Sequence, residues 1–67
     1  MSADILQKIY DSEINAGLSW CWDGGIDVWI GGDNSGASTN TRTVAEALAW
    51  LDAEARRLYP ESVYATS

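Results

Sequence analysis

Residues 18–31 constrain the fold of this chain more than any other stretch. They read as two apolar strands, residues 18–22 and 26–31, joined by the turn sequence Asp23-Gly24-Gly25. Apolar residues on both sides of a short turn that contains glycine are typical of a β-hairpin. The sequence therefore predicts an antiparallel pair of strands, and the other elements must pack around it.

Two registers are compatible with this hairpin, and they differ in which side chains share a face. A two-residue loop pairs Cys21 with Val28 and Trp20 with Trp29, and it places three tryptophans together on one face. A three-residue loop with a left-handed Gly25 gives a different set of cross-strand pairs. In this register, one face carries all the large apolar side chains except Trp29. Its pairs are Trp22 with Ile26, Trp20 with Val28, and Leu18 with Ile30.

We favour the three-residue loop, because glycine adopts positive φ without steric cost and a two-layer domain needs only one apolar sheet face. This register predicts that Leu18, Trp20, Trp22, Ile26, Val28 and Ile30 face the core. The opposite, open face then carries Ser19, Cys21, Asp27 and Trp29.

Helical patterns flank the hairpin. The first covers residues 3–16, with Gly17 as its left-handed end, and its apolar arc spans close to half the circumference. The second covers residues 44–59 and begins with a capping box of Thr43 and Glu46. Its apolar face consists of Val44, Ala47, Leu48, Leu51, Ala55 and Leu58, while Trp50 lies on the opposite, polar side.

The segment between the hairpin and the second helix is polar. Residues 37–42 are rich in threonine and are predicted to form a short third strand at the sheet edge; the alternative is an irregular segment beside a two-stranded ribbon. Asp33-Asn34-Ser35 lies in a turn-rich loop that lacks the spacing of a phosphate or calcium motif. In the tail, residues 60–67, Val63 and Tyr64 are expected to cover an edge.

These patterns predict one α+β domain, residues 1–67, with the order helix, hairpin, weak edge strand, helix and with both helices on one face of the sheet. The chain has 67 residues and a net charge of −6, from ten acidic and four basic residues. Lys and Arg dominate affinity for nucleic acids and for anionic membranes. Because this chain is acidic, nucleic acids and membranes are poor candidates for its partner. A lone Cys21, with no signal peptide or membrane-spanning run, favours a cytoplasmic location.

The residues that carry chemistry are few. There is no histidine, so the commonest general base and metal ligand is absent, and we predict no enzyme, no catalytic residues, no cofactor and no metal. Tryptophan outside the core is the feature that indicates a function, because this residue is enriched at binding hot spots. The candidate interaction residues are Trp29 and Trp50, with Asp27 and Cys21 beside Trp29 on the open face.

The predicted function is a small non-catalytic protein-interaction module that uses the open face around Trp29. Its partner is an unknown protein or a second copy of the chain as a homodimer. Two alternatives are kept: a relative of a nucleic-acid-binding fold, and a small subunit associated with an enzyme and acting through the loop at Asp33.

Two resemblances accompany this prediction. The order helix, strands, helix resembles the double-stranded RNA-binding domain, which carries basic residues at the start of its last helix, where this chain has Thr43-Val44-Ala45-Glu46. Residues 22–31, 47–51 and 55–62 are similar to a group of short proteobacterial proteins with a Trp-Asp-Gly-Gly hairpin and a Trp-Leu helix that ends in Tyr-Pro. That group has no known activity, so the resemblance implies the fold alone.

Overall fold

The computed structural model describes residues 2–32 and 36–62. The predictions for the loop at Asp33-Asn34-Ser35 and for Val63 and Tyr64 in the tail lie outside the described residues. The predicted α+β fold is confirmed, with two helices and a three-stranded antiparallel sheet. In chain order the elements are α1 (Ser2–Asp11), β1 (Ala16–Cys21), β2 (Gly25–Ile30), β3 (Ala37–Thr41) and α2 (Val44–Leu58).

Helix α2 begins where its capping signal predicts. The Thr43 hydroxyl accepts a hydrogen bond from the backbone N–H of Glu46 at 3.1 Å. In return, Oε1 of Glu46 accepts from the backbone N–H of Thr43 at 3.1 Å. Two N–H groups that the helix itself leaves unpaired are thereby satisfied. The start of α2 is fixed by contacts within four residues.

Helix α1 ends earlier than predicted, at Asp11 rather than residue 16, and Gly17 is in β1 instead of ending the helix. The Ile14 N–H bonds to the Ile9 carbonyl at 3.2 Å and the Glu13 N–H bonds to the Tyr10 carbonyl at 3.1 Å. This pair of bonds is a Schellman motif, in which Glu13 holds the left-handed position at φ 62°. Ile9 and Ile14 meet in the core beneath it.

The hairpin register differs from both predicted registers. Leu18 pairs with Val28 and Trp20 pairs with Ile26. The favoured register pairs Leu18 with Ile30, so the observed register is shifted from it by two residues. A shift of two preserves the faces, so Leu18 and Trp20 remain on the same side of the sheet as Ile26 and Val28. Trp22, which was expected in a strand, lies in the turn.

The turn explains this register. The Gly24 N–H donates to the Cys21 carbonyl at 2.9 Å, which closes the chain over Trp22 and Asp23. Gly25 is left-handed as predicted, with φ 79°, but it is the first residue of β2 rather than part of the loop. A Cβ at this position would lie 2.9 Å from the Thr41 carbonyl oxygen, so only glycine lets β3 approach this closely.

The predicted third strand is present. β3 pairs antiparallel with β2, so the sheet order is β1-β2-β3 and β2 is the central strand. Val28 pairs with Thr39 and Asp27 pairs with Asn40. The threonines of β3 therefore share a face with the core residues of β2, and Ser38 and Asn40 share the open face with Asp27.

Both helices lie on one face of the sheet and contribute to a single core. α2 packs across β2 and β3, and α1 packs against α2. The buried side chains of the described residues are Ile9, Ile14, Ile26, Val28, Ile30, Ala47, Leu48, Leu51 and Ala55. Val44, expected on the buried face of α2, is half exposed, and Leu6 and Tyr10 of α1 are also exposed. The core is therefore narrower than the apolar arcs of the two helices.

The left-handed Glu13 is a local source of instability. A residue with a Cβ is disfavoured in this conformation by about 1 kcal/mol, whereas glycine is not. We expect the free energy of unfolding of Glu13→Gly to be about 1 kcal/mol higher than that of Glu13→Ala, because alanine keeps the Cβ and glycine does not. Both variants remove the carboxylate from the helix C-terminus. The difference between their free energies of unfolding therefore reports the cost of the left-handed backbone. Urea unfolding followed by circular dichroism measures it; equal stability of the two variants would contradict this assignment.

Candidate functional site

Trp29 lies on the open face of the sheet, across from Gly17 in the neighbouring strand. Its side chain is 45% exposed. The indole lies over the glycine, because a Cβ added to Gly17 would be 2.5 Å from Cε2 and 2.7 Å from Cζ2 of the ring. An aromatic side chain that covers a cross-strand glycine in this way shields the bare backbone there. The indole is thus held flat on the sheet with its outer surface in solvent.

Asp27 and Asn40 form a polar cluster on the same face. Nδ2 of Asn40 donates to Oδ1 of Asp27 at 2.8 Å and to the carbonyl of Gly24 at 3.2 Å. One side chain of β3 therefore ties together β2 and the hairpin turn. Asp27 is also the only charged residue among the described strand positions on this face.

Cys21 is exposed and unpaired, and it lies across from Gly25 at the turn end of the hairpin. Trp29 pairs with Gly17 near the other end. The structure therefore brings Asp27 to the middle of the open face, with Trp29 and Cys21 toward opposite ends of it. These three candidate residues share a face without forming one compact cluster.

Trp50, the fourth candidate, is on α2 and does not belong to this face. It is partly buried and packs against the core. On the polar side of α2, Arg57 forms an ion pair with Glu54, and Arg56 forms one with Asp52 at 3.3 Å. The hydrogen bond from Arg57 lowers the pKa of the Glu54 carboxyl and raises the pKa of Arg57 itself. This side of α2 is a surface of paired charges with Trp50 packed at its margin.

The largest difference from the sequence prediction is the position of Trp20 and Trp22. Both were expected in the core, but Trp20 is 64% exposed and Trp22 is 93% exposed. Trp22 lies in the turn, beyond the paired strands. Trp20 does point to the helical side, but the buried part of α2 begins only at Ala47. The end of the hairpin therefore extends past the helical layer.

This end of the hairpin carries two depressions, and Trp22 lines both of them. The first, of about 150 Å³, is lined by Trp20, Trp22, Ile26, Arg42 and Val44 among others. The second, of about 410 Å³, is lined by Trp22, Asp23, Gly24, Gly25, Asn40 and Arg42. No local sequence signal identifies this surface, because the exposure of Trp20 depends on how far α2 covers the sheet.

Two features that would indicate a function are absent from residues 2–32 and 36–62. No three His, Cys, Asp or Glu side chains of these residues cluster in a way that could hold a metal ion. None of the described helices is long and apolar enough to cross a membrane. At the start of α2, where an RNA-binding domain of this order has its basic residues, the capping box occupies the first turn and Arg42 precedes it.

Comparison of the chain with protein-family models, with curated proteins and with solved structures finds no match. The resemblance to the group of short proteobacterial proteins therefore stays a prediction.

The hydrogen bonds of Asn40 lead to a prediction about stability. We expect Asn40→Ala to lower the free energy of unfolding by about 1 kcal/mol, since two modest hydrogen bonds are lost. Asn40→Asp should cost more at neutral pH, because it places a second carboxylate beside Asp27.

Thermal or urea unfolding of both variants at neutral pH measures these differences. Ser38→Ala is the matched control, because Ser38 lies on the same strand and face, is exposed, and forms no side-chain hydrogen bond to the described residues. An Asn40→Asp variant as stable as Asn40→Ala at neutral pH would show that Asp27 and Asn40 are not in contact in solution.

Proposed function

We propose that this chain is a small, non-catalytic protein-interaction module of the cytoplasm, and that its contact surface is the open sheet face around Trp29. The observation that supports it best is the half-exposed indole held flat over Gly17. The side chains around it on this face are small or polar, including Ser19 and Ser38. A rigid aromatic on a flat polar surface has the character of a binding hot spot with a hydrogen-bonding rim.

The charge of this face favours a different protein over a second copy of the chain. Asp27 supplies the only charge among its described strand positions, and the whole chain carries −6. A two-fold contact through the centre of this face would bring the two Asp27 carboxylates together, which opposes association. We therefore propose a partner that offers a pocket for the indole and a Lys or Arg for Asp27.

The remaining candidates have smaller roles in this proposal. Cys21 lies at the far end of the face, where it would be at the rim of the contact. Trp50 packs against the core, so we assign it to the stability of the domain and not to the interface.

Site-specific photo-crosslinking tests the proposal. A photoreactive phenylalanine analogue is placed at Ser38, next to Trp29 on the open face, and in a second variant at Ala53, which is exposed on α2. In cells that express the chain, we expect a discrete adduct from position 38 that is absent at position 53. The adduct should disappear when Trp29→Ala is added, because the indole anchors the contact.

The adduct identifies the partner, which is then purified on its own for binding measurements. Trp29→Ala should weaken binding to it by roughly tenfold or more, while Ala53→Ser leaves the affinity unchanged. Circular dichroism verifies that each variant is folded. Absence of an adduct at position 38, or the same adducts at both positions, would overturn the proposal. An adduct with twice the mass of the chain would show that the open face binds a second copy instead.

A further inference from the structure

Trp20 and Trp22 are both exposed and line one depression at the hairpin end, and the proposed function does not use them. We refer to these two residues with Asp23, Arg42 and Val44 as the hairpin-end patch. We propose that the hairpin-end patch is a self-association surface, through which two copies of the chain form a two-fold symmetric dimer. The patch is at the turn end of the sheet, so a copy bound there leaves Trp29 accessible.

The exposed area of the patch fits a small dimer interface. With exposures of 64% and 93%, the two indoles present roughly 200–400 Å² of surface, given the size of a tryptophan side chain. A specific interface of the smaller kind buries about 600–800 Å² on each partner. The two tryptophans therefore supply a large share of one side, and the half-exposed Val44 adds to it.

The charges of the patch indicate that its partner is another copy of the same chain. Arg42 and Asp23 line the same depression beside Trp22. Within the described residues, neither side chain forms an ion pair or a side-chain hydrogen bond. In a two-fold interface each contact occurs twice, with the two residues exchanged. An arrangement with Arg42 opposite Asp23 of the second copy makes two equivalent ion pairs.

This feature separates the hairpin-end patch from the open face. The patch carries one charge of each sign and is self-complementary, whereas the strand positions of the open face carry Asp27 alone. The net charge of −6 on each copy is screened beyond about 8 Å at physiological ionic strength, so contacts at short range decide the association.

Sedimentation equilibrium from micromolar to millimolar concentration tests the proposal. We expect the wild-type chain to dimerise reversibly, and Trp22→Ala to raise the dimer dissociation constant by roughly tenfold or more. Trp22 is almost fully exposed, so this variant should fold normally, which circular dichroism verifies. Tyr10→Ala is the matched control, because it removes an exposed aromatic of α1 outside the patch, and it should leave dimerisation unchanged.

A charge exchange makes the test specific. Arg42→Asp and Asp23→Arg should each be monomeric alone, because each places like charges opposite one another across the two-fold axis. An equimolar mixture of the two variants should form a heterodimer with two ion pairs. One pair joins the native Asp23 and Arg42, and in the other pair both charges are reversed. A contact that merely needs exposed tryptophan would not show this complementation.

Three results would overturn the proposal: a wild-type chain that stays monomeric up to millimolar concentration, a mixture no more associated than either variant, or a dimer that is dissociated by Trp29→Ala and not by Trp22→Ala. The first would leave the patch to a different protein, and the last would place self-association on the open face. The proposal does not depend on the function of Trp29, since the two sets of variants affect different surfaces.

Discussion

The structure depends on the packing of one face of β2 against one face of α2. Ile26, Val28 and Ile30 alternate along the central strand and are buried, and they meet Leu48 and Leu51 of the helix. Ala47 and Ala55 are fully buried on that helix face, and their small side chains let the helix lie close to the sheet. Burying an aliphatic side chain contributes roughly 1.5–3 kcal/mol, so these few residues supply much of the stability available to a chain of this size.

The position of this contact decides which surfaces stay exposed. α2 starts beside the hairpin end and covers the sheet from Ala47 onward, so the turn and Trp20 lie outside the helical layer. On the other side of the sheet no described element covers β2, and Trp29 lies over Gly17 instead. The two surfaces differ in charge: the strand positions of the open face carry Asp27, while the hairpin end carries both Arg42 and Asp23. That difference leads to different proposed partners.

The parts of the fold that could be predicted from the sequence are those determined by nearby residues or by alternation. The capping box that starts α2 involves Thr43 and Glu46 alone, and the alternation of β2 determines its buried face whatever the register. The end of α1 was missed because Glu13, not glycine, holds the left-handed position. The register was not predicted because registers that differ by two residues have the same alternation of faces. The hydrogen bond from the Gly24 N–H to the Cys21 carbonyl selects one of them.

The candidate site shows the same division. Alternation placed Trp29, Asp27 and Cys21 on the open face, as the structure has them, but the exposure of Trp20 and Trp22 depends on how far α2 reaches along the sheet. That distance is a property of the packed structure and has no local signal. Trp50 was expected on a polar surface because of its position on the helix, yet its large ring reaches the edge of the core.

The core lies between β2 and α2 and leaves the tryptophans of the hairpin outside it. Fluorine NMR of the chain labelled with 5-fluorotryptophan tests this most directly, with each resonance assigned by substitution and the concentration kept where sedimentation shows a monomer. We expect the change from H₂O to D₂O to shift the Trp22 resonance most, followed by Trp20 and Trp29, and Trp50 least. A Trp20 or Trp22 resonance more protected from solvent than that of Trp50 would show that the core is arranged differently.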